Sequence, residues 1–140
     1  MRMHEENRVQ SANMEAMLHD AGFRIVENMK NSKDLRLIEK ALGVLANDGL
    51  YACYVFCLSL DSKKDKETNN ENRANVIQVL FENPLKKIAL ILNDEFKNTI
   101  NYLEQCSKNL NKLMIVKEML EKIYIYARYH AQPELKTRNE

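Results

Sequence analysis

A helix end followed at once by an uncharged apolar run constrains this chain more than any other stretch. Asn47, Asp48 and Gly49 close one periodic segment, and residues 50–60 then carry no charge and, besides the tyrosines, a single hydroxyl at Ser59. Glycine takes positive φ without strain, so Gly49 reads as the residue just past a helix end. A surface helix shows one apolar stripe, whereas an element apolar all round belongs in the interior. Residues 50–60 are therefore expected to form a buried central helix with the rest of the chain wrapped around it. A buried strand would tolerate the same residues, but no partner strand is legible elsewhere.

Three glycines and two prolines in 140 residues are too few for the frequent turns of a β protein, and Leu, Glu, Lys, Ala and Met are good helix formers. The expected fold class is all-α: a compact single-domain bundle of about five to six helices over residues 1–132, of a length suited to one core. Helical periodicity runs from about Asn7 to Met29 through Val9, Ala12, Ala16, Phe23 and Val26, with Gly22 as a soft spot. After a polar break at residues 31–34, Asp34 is a candidate cap for a helix whose face is Leu35, Ile38, Ala41, Leu42 and Leu45. Residues 61–73 are polar throughout, with four basic and four acidic side chains, and read as a mobile loop. A short helix over 74–81 should stop before Pro84, which suits the first turn of the next helix, Leu85 to Leu92. Asn93 or Asp94 can cap a further helix with Phe96, Ile100 and Leu103. A last helix spans about Leu110 to Ala131, and residues 133–140 after it form a frayed tail.

The chemistry that such a chain can carry is narrow. Gly22, Gly43 and Gly49 are isolated, so there is no phosphate-cradling loop. Cys53, Cys57 and Cys106 are expected to be buried free thiols in a reducing compartment, and no Cys or His spacing suggests a metal site. His4, His19 and His130 are scattered, with His130 in the last turn of its helix. Asp94 and Glu95, as neighbours, make a poor acid–base pair. The expectation is a protein that is not an enzyme and has no cofactor. The N-terminus lacks a signal-like apolar region, and the longest apolar run falls well short of the roughly 20 residues that span a bilayer. A soluble, cytoplasmic protein without membrane contact is expected.

Surface charge is what remains. A net charge of +1 gives no global pull toward polyanions, so any such contact must be local. The last helix and its approach carry Lys108, Lys112, Lys117, Lys122 and Arg128, with Tyr124, Tyr126 and Tyr129 around Arg128. Cations interleaved with aromatic rings suit a phosphate backbone whose bases stack. Lys86 and Lys87 follow Pro84 in a first helical turn, where the helix dipole disfavours cations. Arg24, Lys30, Lys33 and Arg36 bracket the first helix break. These eleven residues are the candidate RNA-binding positions.

The helix-ending run Val44-Leu45-Ala46-Asn47-Asp48-Gly49-Leu50 and the closing run Tyr124-Ile125-Tyr126-Ala127-Arg128-Tyr129-His130-Ala131 resemble the small α-helical subunit of type III-B (Cmr-type) CRISPR RNA-guided effector complexes. The resemblance covers most of residues 8–132. Asp48 precedes the glycine as an insertion, and Ile125, Tyr126 and Ala127 stand where the family carries a tryptophan and a basic residue. It implies a non-enzymatic role in antiviral defence: self-stacking copies form the minor filament of the ribonucleoprotein, beside other effector subunits, and help hold target RNA along the crRNA. It points to no individual RNA contact. The alternative is a helical protein–protein adaptor without nucleic acid, in which Met14, Met17 and Met29 supply an adaptable surface.

Overall fold

The computed structural model describes the backbone of residues 2–29, 32–68 and 76–139, and the side chains of residues 12–29, 35–60 and 76–132. Of these, all that is regular is helical. The axis is α6 (Leu110–Asn139), which packs on α1 (Arg2–Asn28), α2 (Ser32–Asp48), α4 (Asn83–Ile91) and α5 (Thr99–Ser107). Helix α3 (Leu50–Thr68) packs mainly on α2 and on a π-helical turn at Gln78–Glu82. Val116, Leu120, Ile123, Tyr124 and Ala127 of α6 are wholly buried and meet Leu18, Ile25, Ile38, Leu45, Phe81 and Leu85 from the surrounding elements.

The apolar run is therefore not the centre. Leu50, Cys53, Tyr54 and Cys57 are buried, but Tyr51, Val55 and Leu58 are 69%, 46% and 40% exposed. An all-round apolar helix at the edge of a bundle leaves one face uncovered. The polar residues that follow do not break the helix at once: α3 continues through Thr68, so 61–68 are helical and the rest of the expected loop, 69–73, lies outside the described residues. Lys, Glu and Asp can extend a helix that is already nucleated.

Gly22 is no soft spot. Helix α1 runs unbroken through it, and a Cβ there would stand 2.7 Å from the carbonyl oxygen of Ile123 and 2.8 Å from the amide nitrogen of Ala127. The missing side chain lets two backbones touch. Gly49 has φ +101° and its N–H donates to the Leu45 carbonyl, ending α2 as expected. Its own carbonyl accepts from Cys53 N–H, so the same residue also opens α3.

Other junctions differ from the expected ones. Helix α2 starts at Ser32, which puts Asp34 inside its first turn. Pro84 does sit in the first turn of α4, yet the chain does not stop before it: the π turn joins the two segments, with Asn83 N–H donating to the Gln78 carbonyl. In an α-helix the Leu80 carbonyl would accept from residue 84, and proline has no N–H. The buried Tyr124 hydroxyl donates to that carbonyl instead, at 2.8 Å. Asn93, at φ +59°, ends α4, where Asp94 N–H reaches the Ala89 carbonyl and Asn93 N–H the Leu90 carbonyl. The cap of α5 is thus neither Asn93 nor Asp94 but Asn98, whose side chain accepts from Asn101 N–H at 2.8 Å. Phe96 precedes that helix. Helix α6 carries on past Pro133 to Asn139, so the expected tail is helical through that residue and His130 is not in the last turn.

Candidate functional site

The eleven basic candidates do not form one stripe. Lys30 lies outside the described residues, as does the side chain of Lys33. Arg36 is exposed on α2. Two of the lysines on α6, Lys112 and Lys122, are taken up by carboxylates from elsewhere in the chain. Lys112 donates to both Asp94 carboxylate oxygens at 2.7 Å, and the Tyr102 hydroxyl donates to the same carboxylate at 2.7 Å. Burial opposes the charge on Asp94, but these hydrogen bonds outweigh it and hold its pKa below the usual carboxylate range. The same surroundings push the Tyr102 phenol far up, burial first and the carboxylate second. The pair ties the loop before α5 to the start of α6, and it uses Lys112 structurally.

Lys122 is used in the same way at the α1–α6 contact. There two rows with a spacing of four residues meet: Glu15, His19 and Phe23 on α1, and Lys122, Tyr126 and His130 on α6. Lys122 donates to Glu15 at 2.6 Å, and the Tyr126 hydroxyl donates to the other oxygen of that carboxylate. The Lys122 bond, then the Tyr126 bond, lower the Glu15 pKa, while the carboxylate raises those of Lys122 and Tyr126. The rows continue with the His19 ring on Tyr126 and on His130, and Phe23 on His130. Residues at i and i+4 share a helix face, so this match was latent in the sequence, but only knowledge of the helix pairing reveals it. Lys117 lies 3.6 Å from Glu121 and 3.5 Å from the Ala46 carbonyl oxygen.

Two candidates from distant parts of the chain do converge. Arg24 on α1 and Lys87 on α4 line one cleft of about 200 Å³, together with Asn28, Asn83, Pro84 and the apolar Ala21, Ile25 and Val79. Arg24 also pairs with Asp20 at 3.0 Å, but both side chains are well exposed, so the pair is weak and easily exchanged for another anion. Lys86, next to this cleft in sequence, is exposed with its ammonium 5.9 Å from the Phe96 ring centroid. Lys108 is exposed after α5 and makes no ion pair among the described residues. Arg128 is half-buried, lies 5.7 Å from the Tyr129 ring, and keeps its Nε–H buried without an acceptor among the described residues. Of the three tyrosines around it only Tyr129 is open, at 59% exposure; Tyr124 is core and Tyr126 is bound to Glu15.

The second surface feature is apolar. Tyr51, Val55 and Leu58 on α3, Ile100 on α5, and Leu110, Met114 and Ile115 on α6 are exposed. Between these elements lies a largely apolar pocket of about 450 Å³, lined by Gly49, Leu50, Tyr51, Tyr54, Ile100, Leu103 and Leu113 and rimmed by Asp48 and Glu104. The adaptor reading places the adaptable surface at Met14, Met17 and Met29; Met29, just past α1, is buried, and Met14 and Met17 are partly open. Cys53, Cys57 and Cys106 are each wholly buried and free, as expected. No described helix is long and apolar enough to cross a membrane.

Comparison with family models, with curated proteins and with solved structures gives no match to this chain.

Proposed function

We propose that this chain is a non-enzymatic, RNA-contacting small subunit of a type III-B CRISPR ribonucleoprotein, stacking copy on copy beside other effector subunits and holding target RNA along the crRNA. The observation that carries the RNA contact is the meeting of Arg24 and Lys87 in one cleft. Two cations from helices far apart in sequence line it, with two asparagine side chains beside them. Exposed Lys86 flanks this cleft in sequence. Phosphate oxygens are bound by such clusters, and the non-sequence-specific part of affinity follows the number of cations engaged. Lys112 and Lys122, spent on Asp94 and Glu15, are structural in this reading.

The stacking half rests on the apolar pocket lined by Tyr51, Ile100 and Leu113. A near-neutral subunit with one open apolar face meets little charge repulsion when it self-associates. The family resemblance of the Gly49 and Arg128 segments supplies the remaining support. The same face also suits the adaptor reading, and RNA separates the two. Sedimentation of the protein with single-stranded RNAs of increasing length should give a number of bound copies that grows with length. Absence of RNA binding at low salt, or a single bound copy at every length, would refute the proposal and leave the adaptor.

A further inference from the structure

We infer that His19 and His130 form a two-histidine site for a divalent transition-metal ion of the copper, nickel and zinc group, clamping α1 to α6. The two Nε2 atoms lie 3.0 Å apart, with the imidazole planes inclined at 69° and the ring centroids 4.6 Å apart. Metal–imidazole bonds are about 2.0–2.1 Å, so two cis ligands stand roughly 2.9 Å apart in a square plane and roughly 3.3 Å apart in a tetrahedron. The observed separation falls between these values. The spacing that two cis imidazole ligands need is thus already present between the two Nε2 atoms.

The surroundings favour retention of this geometry. The T-shaped contacts of His19 with Tyr126 at 5.1 Å and of His130 with Phe23 at 5.2 Å fix both rings from the sides. Both histidines reach the surface, His19 exposed and His130 half-exposed, so solvent can fill the remaining coordination positions. Glu15, one turn from His19, is already committed to Lys122 and Tyr126. Among the described residues no third His, Cys, Asp or Glu completes the group. Two protein ligands and open positions suit imidazole-seeking ions and disfavour magnesium or calcium, which need oxygen donors. An ion bound only by the folded α1–α6 pair raises stability by mass action.

The test uses the full chain with Ni²⁺ and, separately, Zn²⁺ as probes. Calorimetry should give one ion per chain, and the melting temperature should rise with metal concentration. His19→Gln and His130→Gln, which can keep a hydrogen bond but are poor metal ligands, should each lose at least the ten- to hundredfold affinity that removal of a mere outer partner costs. The metal-dependent rise in melting temperature should vanish with it. His4→Ala should behave as the parent. Far-ultraviolet circular dichroism verifies that each variant is folded, which two surface-reaching positions permit. Absence of saturable binding would overturn the inference and leave an ordinary imidazole hydrogen bond. So would equal binding by the Gln variants, or loss of binding in His4→Ala.

Discussion

Gly22→Ala is the substitution that best probes how this fold is held together. In an open helix the change should stabilise, because glycine costs roughly 0.5–1 kcal/mol relative to alanine. At Gly22 the added methyl would sit 2.7 Å from the Ile123 oxygen and 2.8 Å from the Ala127 nitrogen, where ordinary contact begins at 3.4 Å. Both obstacles are backbone atoms of α6, so no side chain can swing away; α1 and α6 must part. Overpacking of this kind costs about 1–3 kcal/mol, which exceeds the propensity gain. The expected net loss is on the order of 1–2 kcal/mol. Gly43 is the internal control: it is interior to α2, and a Cβ there would meet nothing within 4 Å. Gly43→Ala should gain several tenths of a kcal/mol, up to about 1. Urea unfolding of both variants reads the two signs through the midpoint at constant slope. A Gly22→Ala protein more stable than the parent would refute the close α1–α6 contact.

Tyr124→Phe removes the hydroxyl that donates to the Leu80 carbonyl next to Pro84, and should cost about 1–3 kcal/mol in the same unfolding assay. Gly49→Val has free space but demands φ +101° of a β-branched residue, so a loss of about 1–3 kcal/mol is expected from the backbone alone; an unchanged melting temperature would count against it. Asp94 has a folded pKa below its unfolded value of about 3.9, so its contribution is complete above that value and is lost as pH falls through the folded pKa. Asp94→Asn should therefore be less stable than the parent near neutrality and show a flatter loss of stability below about pH 4, measured by melting at a series of pH values.

What the sequence revealed was what local chemistry decides. Gly49 is legible because glycine takes a strongly positive φ without strain, and Cys53 and Cys57 because small apolar side chains in an apolar run tend to be buried. Pro84 marks its helix start through its fixed φ. What stayed hidden depends on which helix meets which. Residues 50–60 look central, yet α6 is the axis, since burial follows from partners on each side and not from composition. Gly22 reads as a weakness until α6 lies against it. Residue type does not single out Asn98 as a cap, because Asn93 and Asp94, equally good by type, come first; Asn93 instead ends α4 in the left-handed region. For the candidate site, counting lysines along α6 could not foresee that Asp94 and Glu15, from elsewhere in the chain, take Lys112 and Lys122. The meeting of Arg24 with Lys87, and of His19 with His130, belongs to the same class of fact.

The salt dependence of RNA binding tests the central claim most directly. Affinity of the parent for a single-stranded RNA should fall linearly as log K against log salt, with about 0.7 of slope for each phosphate neutralised. Arg24→Gln with Lys87→Gln should flatten that slope by about 1.4, two cations' worth, and weaken binding across sequences alike. Lys112→Gln with Lys122→Gln should lower stability and leave the slope of the folded protein unchanged, because Asp94 and Glu15 already hold those charges. The reverse pattern, with the slope lost in the α6 pair and kept in the cleft pair, would contradict the assignment.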